Sequence, residues 1–237
     1  MRIGILDAVP PEFKHVDENI SDAEKFIDLL AAVETKAELV VYNVGAGEFP
    51  EQLDSCDGYL IKGSPASVYD DEAWIHDLKE FICAAHAAQK RLVGICFGHQ
   101  LIAEALGGEV KKSPDGWLLG LLDFKVLETP AWMESAVPST KLYHINKDQV
   151  MTLPQGARRI GQSAACENSM YTIGDHILCI QGHPEQPLRA MNNFIEDLGA
   201  EVPVDTVQRA RETFSAAKPD DLLVGRWLRH FFERTGF

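Results

Sequence analysis

Apolar positions along the first hundred residues fall into two alternating patterns. Residues 2–7, 37–42, 58–62 and 91–95 are short, nearly continuous apolar runs bounded by turn residues, the pattern of strands buried on both faces. Between them, 18–33 repeats apolar residues at helical spacing (Ile20, Ala23, Ile27, Leu30), and 72–88 reads as a second, longer helix. Short buried strands separated by helices predict an open, twisted, mostly parallel sheet with helices on both faces. The second half is denser in strands, at 120–128, 141–146, 158–164 and 170–181, and Gly174-Asp175 marks a hairpin within 171–180. After Pro187 helical patterns return at 188–198, 205–217 and 220–232, with Pro203 and Pro219 near the starts of the last two. No internal repeat or low-complexity segment interrupts the chain. The expected organisation is one α/β domain over 1–190, with a helical C-terminal extension over 191–237 packed on it.

Composition narrows the function classes. The chain has 237 residues, 46% hydrophobic and 24% charged, enough for a sizeable core. Its net charge of -14 repels phosphate backbones, which sets nucleic acid aside as a partner. Residues 1–7 lack the longer apolar run of a signal peptide, and no 18-residue uncharged apolar stretch predicts a membrane span. The five cysteines are odd in number and never spaced as CxxC, which points to reduced thiols in the cytoplasm rather than a disulfide framework or zinc ribbon.

Candidate chemistry begins where the strand at 91–95 runs into Cys96. Gly94-Ile95-Cys96-Phe97-Gly98-His99-Gln100 places a cysteine between two glycines, with a helix expected from about Gln100. A nucleophile on a sharp strand-to-helix turn is strained, and small neighbours let the backbone fold tightly around it. The following helix directs free N–H groups and partial positive charge at the sulfur, which favours a thiolate. Cys83 and Cys179 lie within apolar segments and read as inert core cysteines; Cys56 and Cys166 fall in loops with no evident role.

A cysteine acyl-transfer enzyme also needs an imidazole and a group that orients it. Among the eight histidines, His183 follows an apolar run (177–180) and is separated from Glu185 by Pro184. In an extended segment, residues two apart project to the same side, so the carboxylate can fix the imidazole tautomer. A His-x-Glu pair also occurs in zinc deaminases, but the downstream Pro-Cys-x-x-Cys is missing, and no metal is expected. Gly45-Ala46-Gly47 lacks the third glycine and the context of a dinucleotide site, and no cofactor is expected.

These two motifs, in this order, resemble the class I glutamine amidotransferases of Cys–His–Glu type. Gly94 through Gln100 matches the family's Gly-x-Cys-x-Gly-His-Gln, and Gly182 through Glu185 its Gly-His-Pro-Glu. Asp57-Gly58 leading into Gly63-Ser64-Pro65, and Asn146-Lys147-Asp148-Gln149-Val150 with Leu153-Pro154, are similar to two further family segments. The likeness covers roughly 40–190 and is strongest to free-standing members similar to the amidotransferase domain of GMP synthase. It implies a flavodoxin-like fold and a glutamyl thioester on Cys96 that releases ammonia from the glutamine side chain. It further implies His183 as acid and base, Glu185 as its orienter, an oxyanion hole from the N–H of Phe97 and the Gly63-Ser64 loop, and Gln100 lining the glutamine pocket. Ser64 stands where the family usually has a second glycine. It keeps the N–H, but its Cβ and Pro65 restrict the backbone, so the donor is either preset or displaced. His144 and Asp148 are candidates for supporting roles, with surface solvation an equal reading for Asp148.

Three functions stay open. A glutaminase-type subunit would pass ammonia to a separate synthetase, because too few residues follow 190 to form one. A stand-alone hydrolase or transpeptidase for γ-glutamyl compounds would use the same three residues. A non-catalytic regulator would retain the fold, although it has no need of all three. Cysteine-bearing α/β-hydrolases place their acid before the histidine, the reverse of the order here. Trp227, Phe231 and Phe232 near the end read as core or as a dimer contact.

Overall fold

The structure is a computed structural model that describes residues 1–13, 22–133 and 137–234. The start of the first expected helix, 18–21, lies outside the described residues. The described elements begin with β1 (Arg2–Leu6), α1 (Asp22–Ala32), β2 (Glu38–Tyr42), β3 (Gly58–Ile61), α2 (Ala73–Ala87), β4 (Arg91–Ile95) and α3 (Phe97–Ala105). There follow β5 (Glu109–Lys112), β6 (Leu118–Val126), β7 (Ser139–Asn146), β8 (Asp148–Thr152), β9 (Ala157–Gln162), β10 (Met170–Ile173) and β11 (Ile177–Ile180). Three helices close the chain: α4 (Leu188–Leu198), α5 (Val204–Ala216) and α6 (Asp221–Glu233).

Nine strands form one sheet in the order β2-β1-β3-β4-β11-β10-β9-β6-β7. The block from β2 to β11 is parallel, and from β11 onward each pairing is antiparallel. The expected hairpin is β10–β11, turning at Gly174 with φ +53°. Parallel strands buried on both faces need apolar residues on both, and the sequence supplies them in strict alternation. Ile3, Ile5, Leu60, Val93, Leu178 and Ile180 point into the layer filled by α1 and α6. Leu6, Tyr59, Ile61, Leu92, Ile177 and Cys179 point into the layer under α2 and α3.

The C-terminal helices are built into these layers. Trp227, Leu228, Phe231 and Phe232 of α6 are fully buried against α1 and the sheet, so the aromatic stripe is core. A Cβ at Gly225 would meet Leu29 Cδ1 at 3.0 Å, which explains a glycine inside this helix. Helices α4 and α5 cover the antiparallel half through Met191, Ile195, Ala210 and Phe214, packed on Leu119, Leu121 and Tyr143. A two-stranded ribbon, β5 with β8, lies outside the main sheet and has no clear trace in the hydrophobic pattern. Val110 is the one apolar residue in β5, too little to set a period.

Candidate active site

Strand β4 lies between β3 and β11, and its C-terminal end delivers Cys96. Cys96 takes φ +51° and ψ −103°, a left-handed conformation that side chains other than glycine rarely adopt. One residue makes the whole reversal, so α3 begins at Phe97, three positions earlier than the sequence pattern indicated. The Cys96 N–H donates to the Ile180 carbonyl at 3.0 Å, and its carbonyl accepts the Gln100 N–H at 3.0 Å. The N–H groups of Phe97, Gly98 and His99 therefore open the helix without intrahelical acceptors.

The flanking glycines are required by backbone contact. A Cβ on Gly98 would lie 2.2 Å from the Ile61 carbonyl oxygen, and one on Gly94 would lie 2.5 Å from the Gly98 oxygen. Gly98→Ala must push α3 away from β3. We expect it to destabilise the fold by about 1–3 kcal/mol, the usual cost of overpacking. Denaturant midpoints of the variant and the parent measure this, and an unchanged midpoint would show that α3 has room to spare.

Strand β11 runs beside β4 in parallel, with Ile180 opposite Ile95, so the residues after it emerge beside Cys96. The His183 N–H donates to the Tyr143 carbonyl at 2.8 Å, which fixes this segment to β7. Its ring nitrogen Nδ1 lies 2.7 Å from Glu185 Oε1, with both side chains buried. A carboxylate only accepts, so Nδ1 carries a proton in either charge state, and Nε2 is the position that gains or loses one. Nε2 has no hydrogen-bond partner of ordinary geometry among the described residues, although the Cys96 sulfur lies close enough to act on the ring. Burial is the strongest single influence on His183 and opposes its charge. The Glu185 carboxylate and the Cys96 sulfur together outweigh it, and hold the imidazole's pKa well above its ordinary value. His99 and His144, buried without such partners, are pushed down to about 3 by desolvation and stay neutral.

Two residues extend the His183–Glu185 pair. Gln186 Nε2 donates to the same Glu185 oxygen at 3.2 Å, and Lys25 Nζ of α1 donates to Gln186 Oε1 at 3.2 Å. Neither was singled out in the sequence, although a lysine on the buried side of a helix is itself a signal that a buried partner exists.

The loop after β3 forms the other wall. A Cβ on Gly63 would lie 3.1 Å from His183 Cε1 and 3.8 Å from Cys96 Cβ, so this backbone reaches the centre only because Gly63 has no side chain. The Ser64 hydroxyl turns back on its own loop and accepts the Ala66 N–H at 3.2 Å. Asp148, at 8% exposure, is buried and not a solvated surface group. It clasps the loop by accepting from the hydroxyls of Ser67 at 2.7 Å and Tyr69 at 2.8 Å. Lys62 forms a buried ion pair with Asp7 at 3.0 Å. Gln100 lines the cavity, but its amide donates to the Asp148 carbonyl at 2.7 Å and to Gln181 Oε1 at 3.1 Å, and so braces the floor. The cavity measures about 520 Å³ and brings together Gly63, Ser64, Cys96, Gln100, His183 and Glu185. Phe97 is not on its wall; the side chain packs on Trp74, and only the backbone N–H belongs to the turn. Of the other cysteines, Cys56, Cys166 and Cys179 are buried and Cys83 is exposed. Burial pushes the Cys166 thiol up to about 11.

The model of the class I glutamine amidotransferase family matches residues 15–224. The chain belongs to this family. γ-Glutamyl peptidase 3 of Arabidopsis thaliana is 30% identical over 203 residues, covering 81% of this chain and 82% of the peptidase. A subunit of the glutamine-hydrolysing GMP synthase of Sulfolobus acidocaldarius is 28% identical over 154 residues, covering 62% of this chain and 79% of that one. A crystal structure of a glutamine amidotransferase from Thermotoga maritima superimposes with a TM-score of 0.75 at 18% identity, covering 99% of both chains. The antiparallel half of the sheet and the C-terminal helices thus lie within the reach of a class I amidotransferase fold.

Proposed function

We propose that the protein is a cysteine amidohydrolase of the γ-glutamyl amide bond, with residues 1–190 as the catalytic unit and 191–237 as a helical extension packed on it. The observation that carries this reading is the Cys96 turn beside an imidazole held at 2.7 Å by a buried carboxylate. Cys96 sulfur attacks the γ-carbonyl, and the oxygen's developing charge is met by the Phe97 N–H and the Gly63-Ser64 backbone. His183 holds the thiol proton and gives it to the departing amine as the C–N bond breaks, leaving a γ-glutamyl thioester. Water, losing its proton to His183, adds to the thioester and releases glutamate and the free thiol. Glu185 holds the ring and its charge throughout.

Glutamine and γ-glutamyl peptides share this bond and differ only in the amine that leaves. The peptidase reading is favoured by 30% identity over most of the chain to a γ-glutamyl peptidase, and by a cavity of a size suited to a molecule larger than glutamine. The glutaminase reading, with a separate synthetase as partner, rests on the likeness to a component of GMP synthase. No described helix is long and apolar enough to cross a membrane; a small-molecule substrate and a cytoplasmic setting complete the proposal. Glutamate release from glutamine and from γ-glutamyl dipeptides, measured beside Cys96→Ala, tests it. We expect release from the dipeptides that vanishes in the variant. Release from glutamine alone would favour the glutaminase, and release that survives in Cys96→Ala would remove the mechanism.

A further inference from the structure

Two chemically different walls meet in the cavity that holds Cys96. Near the ends of β3, β4 and β7 it is polar, lined by Lys62, Ser64, Gln100 and Asp148. Just before β6, and along β7 and α4, Trp117, Ile145, Phe194 and Leu198 supply apolar carbon, with the charged groups of Lys147, Asp197 and Glu201 beside them. These four are partly buried apolar residues seated on the cluster beneath α4 and α5. Trp117 is held in place: its Nε1 donates to the Glu201 carbonyl at 3.0 Å, and Lys147 lies 4.4 Å from the ring centroid while paired with Glu201 at 3.5 Å.

Resting on the γ-glutamyl reading above, we infer that the Trp117–Phe194–Leu198 wall is the leaving-group subsite, and that the preferred substrate is a γ-glutamyl amide of an amino acid or peptide with a large aliphatic or aromatic side chain. The two halves of such a substrate differ as the walls do. The γ-glutamyl half carries an ammonium and a carboxylate at its α-carbon, and burying either against aromatic and aliphatic carbon is costly. That half belongs on the polar wall. Only the amine-side residue can offer an uncharged side chain to the apolar one. Ammonia, the leaving group of glutamine, would leave this wall uncovered. Half of these apolar residues come from α4, so the helical extension shares in selecting the substrate while the sheet carries out the chemistry.

The test compares kcat/KM of the full chain for glutamine, γ-Glu-Gly, γ-Glu-Leu and γ-Glu-Phe, read as glutamate release, with Cys96→Ala as the blank. The leucine and phenylalanine dipeptides should exceed γ-Glu-Gly by about tenfold or more, the discrimination that a few buried methylenes provide. Trp117→Ala should collapse the Leu-to-Gly ratio toward one, and Leu198→Ala, a milder truncation on an accessible helix, should reduce it in the same direction even if Trp117→Ala fails to fold. Equal efficiency toward Gly, Leu and Phe in the unmodified protein overturns the subsite but leaves the hydrolase intact, as does a ratio unchanged in both variants. Failure to cleave any γ-glutamyl compound overturns the hydrolase reading and the subsite with it.

Discussion

Cys96→Ala is expected to lose glutamate release by about four orders of magnitude or more, the scale seen when a nucleophile is removed, and yet to be less stable than Cys96→Gly. The second half of that result is the sharper test. At ordinary helix or strand positions glycine is worse than alanine by about 0.5–1 kcal/mol, because its unfolded chain has more freedom to lose. At φ +51° and ψ −103° the order inverts, since any Cβ is strained there by about 1–3 kcal/mol and glycine is not. A net advantage of about 1 kcal/mol to Cys96→Gly corresponds to about 2–4 °C in Tm for a chain of this size. Thermal unfolding of the two variants measures it. An alanine variant as stable as the glycine one would mean that the elbow is relaxed, and the argument for a strained nucleophile would go with it.

Glu185→Gln keeps the shape of the side chain and removes its charge, and kcat should fall by about three to four orders of magnitude, as when a triad acid becomes its amide. The stability effect has a definite sign with pH. Although burial works against it, the folded protein holds the His183 pKa well above its ordinary value of 6.5, through Glu185 and Cys96. A raised folded pKa contributes stability that is complete below the unfolded value and is lost as pH rises through the folded one. The advantage of the parent protein over Glu185→Gln should therefore be largest below about pH 6.5 and shrink on the alkaline side. Urea midpoints at about pH 6 and about pH 9 report this. A gap that widens toward alkaline pH would show that Glu185 does not hold a charged imidazole.

The fold was legible wherever burial was complete. β1, β3, β4 and the β10–β11 hairpin lie within a residue or two of the apolar runs, because strands covered on both faces leave few polar positions to blur their ends; β2, at the sheet edge and half-exposed, was legible from its apolar run alone and is less buried than that run indicated. Helix α3 began early because one residue, Cys96, replaced the loop that a strand-to-helix connection ordinarily needs. Ribbon β5–β8 was illegible because pairing, not hydrophobicity, defines it. The placement of Cys96, His183 and Glu185 in one cavity was readable because Cys96 directly follows β4 and the other two follow β11, its parallel neighbour, within a few residues. The Lys25–Gln186 contact spans 161 positions and the Ser67–Asp148 contact 81, and no local pattern encodes such side-chain pairings. Asp148 looked equally suited to solvent because only its two hydroxyl partners show why it is buried.

Cys96 and His183 are brought together by one strand pairing, Ile95 beside Ile180, between segments far apart in sequence. That has a consequence for biogenesis. While the chain is being made, β4 has β3 on one side and nothing on the other, until the hairpin that ends in β11 emerges and inserts. Such long-range parallel pairings form late and slowly. Until then Cys96 has no imidazole beside it and no carbonyl of Ile180 to pin its turn. On the proposed mechanism the site is complete only when the sheet closes, and the rate at which Cys96 reacts with an alkylating reagent during refolding should report that step.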